Sequence, residues 1–165
     1  MLSLNKELKK EKFMMSALCP ELRPMQTTDL PMVLEIESAA YSFPWTQQIF
    51  KDCLQVGYTG RILELDSRII GYGLMSIAAR EAQILNLCIH PNWQGHGYGQ
   101  QILKHLIELA KQKNAQSIFL EVRTSNQIAM NLYHKMGFNQ VGLRKNYYLN
   151  GTKGREDGLI FAMEL

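Results

Sequence analysis

Three alternating glycines, in the segment Gln94-Gly95-His96-Gly97-Tyr98-Gly99, constrain the fold of this chain more than any other feature. They follow an apolar stretch typical of a buried strand, Gln83–Ile89, and precede Tyr98–Lys113, whose apolar residues recur with helical periodicity. A helix N-terminus offers free backbone N–H groups, and glycines let the backbone approach a ligand closely. The segment therefore predicts a strand–loop–helix unit that binds a phosphate or pyrophosphate, with a purely structural turn as the alternative.

Two common phosphate-binding motifs fit this loop poorly. A P-loop requires Lys-Ser or Lys-Thr directly after its last glycine, and neither follows Gly99. A dinucleotide-binding loop requires Gly-x-Gly-x-x-Gly directly after the strand and an acidic residue about 20 residues further on. Glu121 lies near that distance, but the glycines here alternate strictly, and residues 90–94 separate them from the strand. We therefore consider a dinucleotide fold a weak alternative.

The order of predicted elements indicates an α/β chain with a mixed sheet. A strand and two helices come first, then three consecutive strands with a hairpin signal at Asp66-Ser67, then a helix, a strand, a helix and two strands. Thr28 and Thr46 are expected to cap the first two helices, and residues 146–154 are expected to form a turn. Consecutive strands pair antiparallel, so we expect a central, mostly antiparallel mixed sheet flanked by helices.

One domain over residues 19–165 is expected, because a chain of this length supplies a single hydrophobic core. Leu and Lys alternate in residues 1–18, which we expect to lie outside that domain, either disordered or as a short amphipathic helix. No apolar run approaches the roughly 20 residues that cross a bilayer, and lysines interrupt any signal-peptide core. We therefore expect a soluble cytoplasmic protein without membrane contact.

Neither a metal site nor a disulfide framework is expected. Cys19, Cys53 and Cys88 are odd in number and far apart, and the four histidines show no ligand spacing. The net charge of +3 is weak, and we expect no direct contact with nucleic acid.

The glycine segment resembles the coenzyme A loop of the GNAT superfamily of N-acetyltransferases, Arg/Gln-x-x-Gly-x-Gly/Ala. Gln94, Gly97 and Gly99 match each fixed position of that motif. The order of elements from about Glu21 onward also resembles the GNAT fold, which implies an N-acetyltransferase domain over residues 19–165. Further segments resemble one branch, the bacterial ribosomal-protein-alanine N-acetyltransferases: AYSFPW at 40–45, LEVRTSN at 120–126, AMNLYHKMGF at 129–138, RKNYY at 144–148 and GRED at 154–157.

This resemblance implies acetyl transfer from acetyl-CoA to the α-amino group of an N-terminal alanine, by direct attack in a ternary complex. The implied substrate is the eighteenth small-subunit ribosomal protein, and we expect the enzyme to be a monomer. An α-amino group has a pKa of about 7.7–8.0 against about 10.4 for lysine, so a modest base suffices. Two alternatives stay open: acetylation of a small amine such as a polyamine or aminoglycoside, and a non-catalytic CoA-binding module.

Glu121 is the candidate base and Tyr133 the candidate acid. The resemblance assigns the first role to Glu121, which interrupts the apolar part of the predicted strand Ser117–Val122. A phenol can protonate a thiolate whose conjugate acid has a pKa near 8.5, which suits Tyr133 to the second role. The structural alternatives are a solvated or Arg123-paired carboxylate for Glu121 and simple packing for Tyr133.

The resemblance also implies where the cofactor and the acceptor peptide bind. A backbone N–H from residues 87–89 is the expected oxyanion donor, and helix capping is the alternative role for Asn126. Relatives usually carry Arg or Lys where this chain has Gly95 and Gln100, which predicts modestly weaker CoA binding. The candidate acetyl-CoA-binding residues are Leu87, Cys88, Ile89, Gln94, Gly95, His96, Gly97, Tyr98, Gly99, Gln100 and Asn126. The candidate acceptor-binding residues are Phe43, Pro44, Trp45, Tyr147 and Tyr148, for which core packing is the alternative.

Overall fold

Seven strands form one sheet, and four α-helices pack against it, in a computed structural model that describes residues 19–165. The extension predicted for residues 1–18 lies outside the described residues. The strands are β1 (Glu21–Pro24), β2 (Thr59–Leu65), β3 (Arg68–Ala78), β4 (Glu81–Ile89), β5 (Ser117–Arg123), β6 (Asn139–Leu149) and β7 (Arg155–Glu164). The helices are α1 (Leu30–Ala40), α2 (Gln47–Gln55), α3 (Tyr98–Gln112) and α4 (Gln127–Lys135).

The sheet has the order β1-β2-β3-β4-β5-β7-β6, and each neighbouring pair except β4 and β5 is antiparallel. The parallel pair is connected by α3, since parallel strands need a long crossover. The mixed, mostly antiparallel sheet predicted from the element order is therefore confirmed.

β4 and β5 separate halfway along their length. Their pairing ends at Ile84 opposite Leu120, whereas β4 continues beside β3 as far as Ile89. The register with β3 shifts at this point, so that Leu85 is an extra residue in β4 and bends the strand. From Leu85 to Ile89, one edge of β4 therefore faces an open wedge between the two strands.

Two hydrophobic clusters cover the two faces of the sheet. On one face, strand residues such as Leu63 and Leu120 pack with Ile102 and Leu106 of α3. On the other face, Ile62, Tyr72 and Cys88 pack with α1 and α2. Side chains alternate between faces along a strand, so Glu121 lies on the face that carries α1. None of the helices within residues 19–165 is long and apolar enough to span a membrane.

Several predicted local signals are confirmed. Asp66 and Ser67 form the β2–β3 hairpin turn with φ angles of 48° and 61°, the left-handed values of a type I′ turn. The Thr46 hydroxyl caps α2, because it accepts a hydrogen bond from the Ile49 N–H at 3.4 Å. Pro31 lies in the first turn of α1, where its missing N–H costs little.

Two local predictions are wrong. Thr28 does not cap α1: it lies in a 3-10 turn, and Asp29 is the residue before the helix. The Asp29 carboxylate accepts the Gln26 N–H at 2.8 Å, which a threonine at 28 does not reach. The turn predicted for residues 146–154 is also too long, since β6 continues to Leu149 by pairing with β7.

Candidate active site

Two adjoining cavities fill the wedge between β4 and β5. The large cavity, of about 620 Å³, lies between the glycine loop, the open edge of β4 and α4, and its size is typical of a ligand site. The small cavity, of about 140 Å³, lies on the α1 side of the sheet. The residues that line both cavities are Tyr41, Phe43, Leu87, Arg123, Asn126 and Tyr133.

The glycine loop presents an uncapped helix N-terminus to the large cavity. Gly95 and Gly97 have φ angles of 80° and 81°, a conformation that residues with a Cβ rarely adopt. Gly97 is the N-cap of α3 and provides no side-chain acceptor, so the N–H groups of the first turn stay available. The Gln94 amide donates to the Ile89 carbonyl at 3.0 Å and holds the loop against β4. This arrangement suits an anionic ligand.

The open edge of β4 forms a second wall of the large cavity, through Leu87, Cys88 and Ile89. The Tyr41 hydroxyl donates to the Leu87 carbonyl at 3.0 Å, where β5 no longer pairs with the strand. Burial raises the pKa of the Cys88 thiol to about 12, so it stays protonated at neutral pH. A protonated, buried thiol is a poor nucleophile.

Most of the predicted cofactor residues come together, and one does not. The His96 side chain lines neither cavity; its Nδ1 lies 2.8 Å from the Gln94 carbonyl, and its ring stacks on Tyr98. Asn126 caps α4 by accepting the Ala129 N–H at 3.1 Å and also lines both cavities, so the two roles considered are geometrically compatible. The predicted residues that line the large cavity are Leu87, Cys88, Ile89, Gln94, Gly95, Gly97, Tyr98, Gly99, Gln100 and Asn126.

Tyr133 reaches from α4 to the boundary of the two cavities. Its ring packs 6.0 Å from Phe138 and 6.1 Å from Phe161, between centroids, and burial raises its pKa to about 12. The phenol is therefore protonated at neutral pH. Its hydroxyl makes no hydrogen bond with residues 19–165. Every fully buried polar side-chain atom of that region has a hydrogen-bond partner, so this hydroxyl is not fully buried and faces the open space of the cavities.

Glu121 lines the small cavity from β5. Its Oε1 lies 3.0 Å from the Nε of Arg144, and its carboxylate raises the pKa of the Tyr147 phenol. Arg123, the partner considered from the sequence, instead pairs with Glu156 at 2.8 Å. The carboxylate of Glu121 is therefore oriented by Arg144 of β6.

Aromatic rings form the walls of the small cavity, through Phe43, Trp45 and Tyr148. The Arg123 guanidinium carbon lies 4.4 Å from the centroid of the Tyr148 ring and 5.8 Å from that of Phe43, within the range of cation–π attraction. Arg123 thus bridges two rings that belong to distant segments of the chain. Of the predicted acceptor residues, Pro44 and Tyr147 line neither cavity.

Glu37 is a cavity residue that was not assigned to the site from the sequence. Its carboxylate, only 1% exposed, accepts hydrogen bonds from the Trp45 N–H at 2.8 Å, from the Asn86 amide at 3.2 Å and from the Tyr72 hydroxyl. It also lines the small cavity. The helical spacing of α1 predicts that Glu37 is buried, since it lies on the same buried face as Leu30 and Val33.

The basic side chains that line the large cavity were also not predicted from the sequence. Among residues 19–165, Arg123 and Lys135 are the Arg and Lys side chains that line it, and neither belongs to the glycine loop. Arg123 is already paired with Glu156, a carboxylate of the same cavity, whereas Lys135 has no Asp or Glu within 4.0 Å among residues 19–165. Within the same described part of the chain, no three His, Cys, Asp or Glu side chains lie close enough to hold a metal ion.

Comparison with known proteins identifies relatives of this chain. Residues 21–138 match the family described as Acetyltransferase (GNAT) family. The [ribosomal protein bS18]-alanine N-acetyltransferase of Escherichia coli K12 is 34% identical over 86% of this chain and 95% of its own length.

Solved structures show the same similarity. The crystal structure of the ribosomal-protein-S18-alanine N-acetyltransferase from Escherichia coli superimposes with a TM-score of 0.83 at 33% identity, over 88% of this chain and 94% of that one. An acetyltransferase from Salmonella typhimurium, solved with its cofactor acetyl-CoA, is 16% identical with a TM-score of 0.76 over 89% of this chain and 94% of its own. At that identity the likeness concerns the fold alone.

Proposed function

The chain belongs to the GNAT acetyltransferase family, and on that premise we propose that it acetylates the α-amino group of an N-terminal alanine, with acetyl-CoA as the donor and ribosomal protein bS18 as the substrate. Its relatives at 34% identity carry this activity in their names. The observation that carries the proposal is that Tyr133 lines both the large and the small cavity, and that Glu121 also lines the small one.

The large cavity has the groups that acetyl-CoA requires. The uncapped N–H groups at the start of α3 suit the pyrophosphate, and Lys135 adds a positive charge that no carboxylate of residues 19–165 balances. The unpaired edge of β4 at Leu87–Ile89 suits the amides of the pantetheine arm, which would add to the sheet as a further strand does. Bound acetyl-CoA supplies a thioester whose carbonyl carbon accepts the amine and whose sulfur is the leaving group.

Glu121 and Tyr133 carry the two proton transfers of this reaction. Glu121 accepts a proton from the α-amino group, directly or through a water molecule, as the C–N bond forms. Tyr133 donates the proton that the sulfur needs as the C–S bond breaks, and its own proton is restored from solvent. A backbone N–H of residues 87–89 stabilises the negative charge on the carbonyl oxygen. The products are an Nα-acetyl chain and free CoA.

The acidity of Tyr133 matches a buried leaving group. A pKa of about 12 makes the phenol a weak acid for a thiolate in water, where thiols have pKa values near 8.5. A thiolate that leaves in a site shielded from water is a stronger base than a thiolate in water, because desolvation disfavours its charge. This favours proton transfer from Tyr133.

The dimensions of the small cavity favour a chain end with a small first side chain. Its volume of about 140 Å³ is bordered by Phe43, Trp45 and Tyr148, which restricts the room beside the reacting amine. An extended N-terminus that begins with alanine fits this slot better than a bulky first residue. An α-amino group is also about 3.4 kcal/mol easier to deprotonate at neutral pH than a lysine side chain, from the difference of about 2.5 pKa units.

CoA release is the test of this function. The enzyme is incubated with acetyl-CoA and a peptide that begins Ala-Arg-Tyr, its Nα-blocked copy, or spermidine, and mass spectrometry locates the acetyl group. We expect turnover on the free peptide alone, with the acetyl group on its α-nitrogen. Turnover on spermidine without the peptide would assign a small-amine acetyltransferase, and CoA binding without turnover on any amine would assign a non-catalytic module.

A further inference from the structure

Three glutamates line the two cavities, and they differ in their ionic partners. Glu121 lies 3.0 Å from Arg144, and Glu156 lies 2.8 Å from Arg123. Glu37 has no Lys, Arg or His within 4.0 Å among residues 19–165. Of these three carboxylates, Glu37 is therefore the one without a Lys, Arg or His counter-charge among residues 19–165.

The surroundings of Glu37 hold it in place with neutral groups. A backbone N–H, an amide and a phenol hydroxyl come from three different parts of the chain, at Trp45, Asn86 and Tyr72. A buried carboxylate is costly unless hydrogen bonds or a cation compensate for the lost hydration. Neutral donors provide part of this compensation, and Glu37 lines the small cavity, where a bound cation would supply the rest.

The acceptor substrate brings such a cation into this cavity, on the basis of the function proposed above. A free α-amino group is mostly protonated at pH 7, since its ordinary pKa is about 7.7–8.0. We propose that Glu37 binds the α-ammonium group of the acceptor and thereby selects a charged N-terminus. That group then loses one proton to solvent to become the neutral amine, and Glu121 accepts the second proton as the C–N bond forms. Glu37 is then a specificity-determining residue, and the substrate supplies its missing counter-charge.

A purely structural role for Glu37 makes a different prediction. The carboxylate also anchors Trp45, and with it the wall formed by Phe43 and Trp45. The substitution Glu37→Gln keeps an oxygen that accepts the Trp45 N–H but removes the charge. An anchoring role therefore survives this substitution, whereas recognition of an ammonium group does not.

The test compares the binding of two peptides that differ only in charge at the first residue. One begins with alanine, and the other begins with lactate, in which a hydroxyl replaces the α-amino group. Each is titrated by calorimetry into the wild type, Glu37→Gln and Glu35→Gln, all saturated with CoA. Glu35 is an exposed glutamate of the same helix and provides the matched control.

We expect the wild type and Glu35→Gln to bind the alanine peptide at least about tenfold more tightly than the lactate peptide, and Glu37→Gln to lose most of this preference. Equal preference in Glu37→Gln and the wild type would overturn the proposal. If circular dichroism shows that Glu37→Gln is unfolded, the test is the comparison of the two peptides on the wild type. Equal binding of both peptides by the wild type would then overturn the proposal.

A second measurement distinguishes failure of the proposed function from failure of the proposed role of Glu37. Turnover of the wild type on the alanine peptide is measured in parallel with binding. An absence of turnover counts against the proposed reaction, whereas turnover with equal binding of the two peptides counts only against the role of Glu37. Failure of the wild type to bind either peptide would reject both.

Discussion

Arg144 on the edge strand β6 and Glu121 on β5 form an ion pair of 3.0 Å, beside the small cavity that Glu121 lines. β6 and β5 are not neighbours, because β7 lies between them, so the Arg144 side chain crosses one strand to reach the carboxylate. The Glu121 carboxylate also raises the pKa of Tyr147, three residues further along β6. The same strand contributes Tyr148 to the aromatic wall. One edge strand therefore orients the candidate base and shapes the slot for its substrate.

Glu121→Gln removes the candidate base without changing the size of the side chain. We expect kcat on an alanine peptide to fall by about 10²- to 10⁴-fold, because the α-amino group no longer has a proton acceptor in the slot. The KM for acetyl-CoA should change little, since Glu121 does not line the large cavity. Steady-state kinetics measures both effects. Glu108→Gln, on the exposed side of α3, is the control, and a variant of Glu121 as active as that control would contradict the assignment.

Tyr133→Phe removes one hydroxyl that makes no hydrogen bond with residues 19–165, so we expect the folded state to keep its stability. The kcat should fall by about 10²-fold or more, because the leaving sulfur loses its proton donor. Thermal unfolding and kinetics together check this expectation. An unchanged melting temperature with normal kcat would instead indicate that Tyr133 serves only to pack against Phe138 and Phe161, since the variant keeps the ring.

Gly97→Ala places a Cβ on a residue with φ of 81°, although no atom lies within 4 Å of that position. The strain of the left-handed conformation is expected to cost about 1–2 kcal/mol and to distort the N-terminus of α3, which raises the KM for acetyl-CoA. Gly57 is the matched control, since its φ is 84° and its Cβ position is equally open, but it lies far from both cavities. Gly57→Ala should lower stability similarly and leave that KM unchanged. Equal KM values for the two variants would count against binding at the loop.

Asp29→Asn tests a contribution to stability that depends on pH. Hydrogen bonds from Arg23, at 2.8 and 2.9 Å, lower the pKa of the Asp29 carboxyl in the folded state. This contribution is complete above the unfolded pKa of about 3.9 and is lost as the pH falls through the lower folded value. We expect the variant to lose about 1–3 kcal/mol of unfolding free energy at pH 7 and progressively less below about pH 4.

Urea denaturation of both proteins over this pH range measures the difference. The control is Asp52→Asn, an exposed aspartate on α2 that should change stability little at any pH. A constant deficit of Asp29→Asn down to pH 2 would show that the Arg23 pair does not depend on the charge of Asp29.

Much of the fold follows from patterns within short segments. The helical period of α3, the left-handed turn at Asp66-Ser67 and the Thr46 cap depend on residues a few positions apart, so each is readable before the chain is folded. The glycine loop is equally local, because its positive φ angles and uncapped helix N-terminus need no partner from elsewhere. The element order then restricts the sheet to a mixed one, since consecutive strands pair antiparallel.

Tertiary structure alone decides which groups meet across the sheet. Glu121 pairs with Arg144 because β7 brings β6 within reach. Arg123, which lies two residues away on the same face of β5, pairs with Glu156 instead. Pairing with β7 likewise extends β6 through a segment whose composition favours a turn. The burial of Glu37 depends on Tyr72 and Asn86, which are 35 and 49 residues distant. Such contacts combine distant segments, and no local pattern reports which of them the folded chain brings together.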